Sequence, residues 1–269
     1  MKRIIVGLAL TTGAALVAAP PAQAAPKADP VKALQAQVAP GKGVNVSLIT
    51  RIALDGKRLA TIRTERVAGF RKGWQVDTDE TTSVYAPDSA ESLQADFRFP
   101  TLVIRAKGVS YTSGGELIGM LPLDKKWVRD IPGESRPADL TVDLFQPGAL
   151  KALLATASSV SSRSAEGAID IRKIPGRPFG SRNGVKIAWS LWFDDKGRVT
   201  RLTTMLADQR LSDRRLDVSA DVRFTGWGAK VTVEPPPADL VTRSEDVPAL
   251  EESLEPAPKK LIDALPKAH

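Results

Sequence analysis

The 269-residue sequence contains no cysteine and one histidine, His269, which is its last residue. The lack of cysteine excludes disulfides, thiolate zinc sites, iron–sulfur clusters and cysteine nucleophiles. With histidine confined to the end of the chain, Ser-His-Asp triads and histidine-based zinc sites are not expected either. Aromatic residues make up only 5% of the sequence, which favours an aliphatic ligand over a sugar. The sequence therefore predicts a binding protein rather than an enzyme, with no metal and no cofactor.

Long apolar runs are also absent, apart from one near the start of the sequence. Lys2 and Arg3 precede an uncharged, largely apolar segment, residues 4–19, and Ala22-Gln23-Ala24 follows two prolines. A basic start, a short apolar run and an A-x-A sequence are the three parts of a secretory signal peptide. The run is shorter than the roughly 20 residues that a membrane-spanning helix needs. We therefore expect residues 1–24 to be a signal peptide, and the mature protein to be secreted or associated with the cell wall, with no transmembrane segment.

The charge of the sequence is basic, and the basic residues are not arranged for nucleic acid. The formal net charge is +7, and it falls to +5 when Lys2 and Arg3 are removed with the signal peptide. The densest basic stretch, residues 51–72, contains a single aromatic residue, Phe70, whereas nucleic-acid-binding surfaces usually combine clustered basic residues with aromatic ones. Nucleic acid is therefore not an expected partner. Anionic polymers of the cell envelope, or a partner envelope protein, are alternative partners for a basic exported protein.

Periodic patterns predict mostly strands, with two short helices. Apolar residues fall mostly on even positions from Val44 to Leu54, which indicates a half-buried strand, and Asp55-Gly56 is a strong hairpin signal. Similar alternation covers residues 93–99, 185–193 and 215–224.

Helices are predicted at two places, and a loop follows the second one. Asp29-Pro30 indicates a helix start. A second helix is predicted around Leu150–Ala157, where apolar residues recur on one helix face. The serine-rich segment Ser158–Gly167 predicts a loop.

The order and number of these predicted elements limit the possible folds. Two short helices give little cover for a sheet of about a dozen strands. A strongly curved sheet that wraps around the helices solves this problem, and it leaves an apolar cavity between sheet and helices. We therefore expect an α+β fold, a curved antiparallel β half-barrel wrapped around a few short helices, as a single domain over residues 25–241. The acidic, proline-containing segment 242–269 is expected to be a mostly flexible tail.

Several stretches, taken in their order and spacing, resemble those of a known family. They are Gly43–Ser47 after a short helix, Tyr111 with Lys126-Trp127-Val128, the helix start Asp143–Leu150, the strand–turn–strand Leu191–Val199, and Phe224–Gly228 continuing to Asp239. In these stretches the sequence resembles the LolA/LolB-like superfamily, and more closely its actinobacterial branch, the LppX/LprG-type lipoproteins. The resemblance implies a half-barrel with a hydrophobic cavity for acyl chains, and non-catalytic carriage of lipoproteins, lipoglycans or lipids. The sequence lacks the lipobox cysteine of the lipoprotein members, which puts a membrane-tethered role in doubt.

The apolar faces of the predicted strands and of the second helix supply candidate residues for lining such a cavity. They are Val46, Leu48, Phe97, Phe99, Ile104, Leu153, Leu154, Trp189, Leu191, Val218 and Val222. We expect them to hold a lipid or acylated molecule. The alternative for the same positions is a filled core, since a stripe of period two is usually just that.

Two other functions stay open at this point. One is a ligand-free interaction or sensing protein of the cell envelope that uses the same fold and a basic surface. The other is hydrolysis by carboxylates alone, which would need a pair of inward-facing acids such as Asp217 and Asp221. Alternating charges on an outer strand face explain these two residues more simply. On a neighbouring strand, Trp189 and Trp192 are predicted to lie on opposite faces.

Overall fold

The computed structural model describes residues 28–72, 75–85, 99–131, 142–146, 148–175, 185–211, 214–247 and 250. Two α-helices lie within this part of the chain, α1 (Pro30–Gln37) and α2 (Ala149–Leu154). The strands, in chain order, are β1 (Lys42–Leu54), β2 (Lys57–Phe70), β3 (Val76–Tyr85), β4 (Thr101–Ala106), β5 (Val109–Gly114), β6 (Trp127–Arg129), β7 (Ala157–Val160), β8 (Ser164–Asp170), β9 (Lys186–Phe193), β10 (Val199–Leu211), β11 (Arg214–Lys230) and β12 (Val241–Arg243). Short 3-10 helices cover Gly115–Leu117, Ile171–Lys173, Ala238–Leu240 and Ser244–Asp246.

All twelve strands belong to one curled, open sheet. Their order is β12-β6-β5-β4-β3-β2-β1-β11-β10-β9-β8-β7, so β12 and β7 are the two edges. Neighbouring strands pair antiparallel, except that β12 pairs parallel with β6. Both helices pack on the same face of the sheet, because Leu34 of α1 and Leu153 of α2 share one buried cluster with Val46 of β1. The predicted fold class, a curved antiparallel half-barrel around a few short helices, is confirmed.

The first helix and the first hairpin form where local sequence signals predict them. The Asp29 carboxylate accepts hydrogen bonds from the backbone N–H groups of Val31 and Lys32 at 2.9 and 3.3 Å, which caps α1. Between β1 and β2, Asp55 and Gly56 have φ angles of 50° and 77°. Positive φ at both central residues is the geometry of the type I′ turn that matches the twist of a two-residue hairpin.

The serine-rich segment is a hairpin, so the loop predicted over Ser158–Gly167 is wrong. Strands β7 and β8 occupy most of it and pair antiparallel. The hydroxyl of Ser161 accepts hydrogen bonds from the N–H groups of Arg163 and Ser164, and it lies 2.8 Å from the Ser164 hydroxyl. The serines therefore close a turn between two strands. The prediction was wrong because the high serine content of the whole segment is typical of a loop.

Side chains alternate between an inner face, which carries the helices, and an outer face. On β1 the even-numbered residues Val44, Val46 and Leu48 are buried, whereas Asn45 and Arg51 on the other face are exposed. Strand pairing carries this alternation from one strand to the next across the sheet. Each residue of the sheet can therefore be assigned to one of the two faces from its strand partners.

The sheet continues past the predicted domain boundary at residue 241. Strand β12 covers residues 241–243, and the Ser244 hydroxyl donates a hydrogen bond to the Asp130 carbonyl. Val247 and Leu250 are buried in a second cluster with Leu117 and Val128. The beginning of the predicted tail is therefore packed against β6, while residues 251–269 and the predicted signal peptide 1–24 lie outside the described residues. Among the described residues, no helix is long and apolar enough to cross a membrane.

Candidate functional site

Most of the predicted lining residues lie together on the inner face, in the main buried cluster. Six of them belong to this cluster and Leu154 packs against its edge. The six are Val46, Leu48, Leu153, Trp189, Leu191 and Val222. They contact one another and the helices as core residues do, and a role in holding a ligand stays a prediction for them.

The other predicted lining residues are separated from this cluster. Val218 is buried on the inner face of β11 but is not part of the cluster. Ile104 is half-buried and lies on the outer face, because its neighbour Val103 faces inward opposite Glu80. Phe99 precedes β4 and is 47% exposed, and Phe97 lies outside the described residues. The structure therefore does not place Ile104 in one cavity with Val46 and Leu48.

The inner face changes from apolar to polar between β1 and β2. In one row across the sheet, paired residues run from apolar side chains on β9, β10, β11 and β1 to threonines on β2, β3 and β4. That row is Leu191, Leu202, Val222, Leu48, Thr64, Thr82 and Thr101. We call strands β1 and β8–β11 the apolar half and strands β2–β5 the polar half of the inner face.

Three charged residues lie at the centre of the polar half. Glu80 is only 1% exposed, and its carboxylate lies 2.6 Å from Arg66 Nε and 4.0 Å from Arg105 Nη1. The Thr82 hydroxyl donates to the same carboxylate at 3.4 Å and is 3.0 Å from the Thr64 hydroxyl. We call Arg66, Glu80 and Arg105 the arginine–glutamate cluster.

The pattern analysis missed this cluster because it read inward-facing strand positions as apolar. Arg66 and Glu80 occupy inward positions on β2 and β3, where apolar residues such as Ala68 and Ile62 share the inner face with threonines. Their oppositely charged side chains at paired positions are the one signal that could have revealed it.

Four apolar side chains lie on the inner face of β1, β2, β3 and β11, toward the β1–β2 turn. Ile62 pairs with Val84, and both are half-buried. In the next row Ile52 pairs with Val218, and both are buried. None of the four belongs to the described core cluster. We call these four residues the apolar end of the inner face.

A groove with a volume of about 560 Å³ lies on the outer face of strands β1 and β7–β11. Its lining combines many small side chains with a few long ones. Its lining includes Arg51, Ser158, Glu166, Ala168, Ala188, Ser190, Arg201, Thr203, Met205, Ser219 and Asp221. Of the predicted lining residues, Trp189 is the one that also contacts this groove.

Two arginines, Arg51 and Arg201, and two carboxylates, Glu166 and Asp221, line the groove. Arg201 donates two hydrogen bonds of 2.8 Å to Asp221, and its guanidinium lies 4.8 Å from the centre of the Trp192 ring. The hydrogen bond to Asp221 raises the pKa of Arg201. Arg51 is exposed, and no ion pair to it occurs within the described part of the chain. Trp192 is half-buried on this face while Trp189 is buried on the other, so the predicted opposite orientation of the two is confirmed.

Asp217 and Asp221 do not form an inward-facing acid pair. Both lie on the outer face, where Asp217 pairs with Arg215 and Asp221 with Arg201. Glu80 does face inward, but it is paired with Arg66. Over the described ranges, no three histidine, aspartate or glutamate side chains are placed to hold a metal ion.

Comparison with known proteins found similarity only among solved structures. No protein-family model matches the sequence, and no curated protein matches it. A DUF1329 family protein from Desulfovibrio piger aligns with a TM-score of 0.30 and 15% identity, over 77% of this chain and 95% of the other. A LolA superfamily protein from Nitrosomonas europaea aligns with a TM-score of 0.28 and 10% identity, over 77% and 92% of the two chains. An outer membrane lipoprotein-sorting protein domain from Vibrio parahaemolyticus aligns with a TM-score of 0.26 and 11% identity, over 73% of this chain and 90% of the other. TM-scores this low neither assign the chain to a family nor indicate its function.

Proposed function

We propose that this chain is a secreted, non-catalytic binding protein that holds a lipid or acylated molecule on the inner face of its sheet. The observation that carries the proposal is the apolar end, Ile52, Ile62, Val84 and Val218, which lies outside the described core cluster. It shares the inner face with the arginine–glutamate cluster and lies nearer the β1–β2 turn. An amphiphile has the same division into an apolar chain and a polar head. The resemblance of the sequence to the LolA/LolB-like superfamily agrees with this proposal.

The dimensions of the inner face suit an acyl chain that extends along the strands. Ile62 and Arg66 are four residues apart on β2, which corresponds to about 13 Å at the rise of an extended strand. Each buried methylene group gains about 0.8 kcal/mol, so about ten of them contribute about 8 kcal/mol before the costs of association. A chain in contact with the apolar end would therefore bind with its head group near the arginine–glutamate cluster.

The test is binding of a fluorescent fatty acid by the mature full-length chain and by the variant Ile62→Asp. A carboxylate at this half-buried position should weaken binding about tenfold or more, since a charge beside an acyl chain loses its hydration. Ile49→Asp is the matched control, because Ile49 is also half-buried but faces outward on the neighbouring strand. Circular dichroism establishes that both variants are folded. Equal binding by the two variants would contradict the proposed location, and no binding by the wild-type protein would contradict the function.

A second candidate function is docking to anionic polymers of the cell envelope through the outer groove. The exposed Arg51, with no ion pair within the described part of the chain, favours it. Attraction between exposed charges is screened by salt. Binding to isolated cell walls should therefore fall as the salt concentration rises, and it should fall in the variant Arg51→Gln at low salt. Wall binding that does not change with salt would exclude this function.

A further inference from the structure

Three side-chain polar atoms on the inner face of the polar half are buried and have no hydrogen-bond partner among the described residues. They are Thr78 Oγ1, Arg105 Nη2 and Ser110 Oγ. The three residues are direct neighbours in one row, because Thr78 pairs with Arg105 and Arg105 pairs with Ser110. About nine-tenths or more of buried polar groups in proteins are hydrogen-bonded, so three unpartnered atoms on neighbouring residues call for an explanation.

We propose that Thr78, Arg105 and Ser110 form a binding site for an anionic oxygen group, a carboxylate or phosphate, carried by the bound molecule. This inference rests on the proposed function, since it places the head group of the acylated ligand. Strands β3, β4 and β5 are adjacent, so the three side chains lie within two strand spacings, about 10 Å. A carboxylate or phosphate group is small enough to contact side chains on all three strands.

The guanidinium and the two hydroxyls of this row require a ligand that accepts hydrogen bonds. A guanidinium only donates hydrogen bonds, and the two hydroxyls can donate as well. A group with several acceptor oxygens is the partner that satisfies all three at once, and hydrogen bonds between a guanidinium and an oxyanion are among the stronger ones in proteins. A water molecule would satisfy the hydroxyls but would leave the charge of the guanidinium uncompensated.

The charge of the neighbourhood points to the same class of ligand. The Glu80 carboxylate lies 2.6 Å from Arg66 Nε but 4.0 Å from Arg105 Nη1. Arg105 is therefore held less closely by Glu80 than Arg66 is, and a negatively charged group suits its Nη2. The Arg105 side chain is 24% exposed, whereas Nη2 itself is buried, so a ligand contacts Nη2 by displacing the groups that cover it. Thr78 is 8% exposed, which makes its missing partner costly.

The experiment compares ligands that share one chain but differ in charge. Oleate and oleyl alcohol displace the uncharged probe N-phenylnaphthylamine from the mature full-length chain, and each affinity is obtained from the displacement curve. The wild-type protein should bind oleate at least about tenfold more tightly than oleyl alcohol. Arg105→Gln should abolish this preference, because it should lower the affinity for oleate much more than the affinity for oleyl alcohol. Arg63→Gln is the control, because Arg63 is exposed on the outer face of β2.

Two smaller changes keep the test decisive if Arg105→Gln does not fold. Thr78→Val and Ser110→Ala each remove one hydroxyl, and each should reduce the preference for oleate about fivefold. A preference that survives in all three variants would overturn the site.

The outcomes separate the anion site from the proposed function. If wild-type protein binds oleate and oleyl alcohol equally, the anion site fails and the lipid-binding function stands. If neither ligand binds, the proposed function fails. Inorganic phosphate is then titrated alone, and binding that Arg105→Gln abolishes would identify the row as a site for a free anion, whereas no phosphate binding would overturn it.

Discussion

Gly167 has no room for a side chain, although it lies in the middle of a strand. A Cβ atom built at this position would contact the carbonyl oxygen of Thr156 and would lie 2.9 Å from the Trp189 ring. The backbone oxygen belongs to the segment that leads into β7, so it cannot rotate away. Glycine is required here by close packing rather than by an unusual φ angle.

Gly167→Ala should therefore destabilise the protein by about 1–3 kcal/mol, the usual cost of overpacking. Chemical denaturation followed by circular dichroism measures the change. The neighbouring residue Ala168 is exposed on the other face, so Ala168→Ser serves as the control and should leave the denaturation midpoint nearly unchanged. Equal midpoints for Gly167→Ala and the wild-type protein would show that this contact relaxes freely.

Asp55 in the β1–β2 turn connects the turn to β11. Its carboxylate accepts hydrogen bonds from the backbone N–H of Arg215 and from Arg214 Nε, both at 2.8 Å. These bonds, the backbone one first, hold the pKa of Asp55 below its ordinary value. A carboxylate whose pKa is lower in the folded than in the unfolded state stabilises the fold above its unfolded pKa of about 3.9, and this contribution is lost as the pH falls through its folded pKa.

Asp55→Asn should therefore lower the melting temperature at pH 7 and change it much less at about pH 2. Asparagine tolerates the positive φ of this position, so the backbone of the turn is retained. Thermal unfolding of both proteins at the two pH values measures the effect. The same difference in melting temperature at both pH values would contradict a role for the charge.

At the scale of elements, sequence signals between nearby residues predicted helix starts and turns, whereas the pairing of distant strands was not predicted. The capping of α1 by Asp29 and the Asp55-Gly56 turn depend on residues that are close in sequence, and both were correctly predicted. The parallel pairing of β12 with β6 joins two strands of three residues that are far apart in sequence, and no periodic pattern can reveal a pairing of that kind. The inward orientation of Glu80 was also missed, because a charged residue departs from the period that identifies strands.

Helix α2 shows how a predicted lining residue acts as a core residue. Leu153 is fully buried in the main cluster, whereas its neighbour Leu154 is half-buried at the edge of that cluster. The apolar spacing of this helix was predicted from the sequence, but whether the side chains fill the space or line a cavity depends on the distance between helix and sheet. That distance is set by the whole sheet and not by the helix sequence.

Leu153→Ala should cost about 2–5 kcal/mol of stability in the ligand-free protein, because it leaves a cavity in a packed core. Leu154→Ala should cost clearly less, since part of that side chain is exposed. Urea denaturation of both variants after removal of any bound lipid measures the difference. If both variants were as stable as the wild-type protein, Leu153 would line an open cavity instead of a filled core.

At the scale of the whole molecule, the open sheet divides its inner face into two parts with different roles. The helices and the main cluster fill the apolar half, which stabilises the fold. The polar half carries the arginine–glutamate cluster, and the apolar end lies nearer the β1–β2 turn. The curved sheet around few helices was correctly predicted from the shortage of helices to cover it. The division of the inner face was not, because it depends on which strands become neighbours.

Mass spectrometry of organic extracts is the most direct test of the central claim, which is that the protein binds an acylated molecule on this inner face. The mature protein is purified natively from an exporting host, beside the variant Ile62→Asp and a secreted protein of similar size. We predict a co-purifying lipid in near-stoichiometric amount in the wild-type extract, and much less of it in both other extracts. A folded wild-type protein whose extract contains no more lipid than the unrelated protein would contradict the claim.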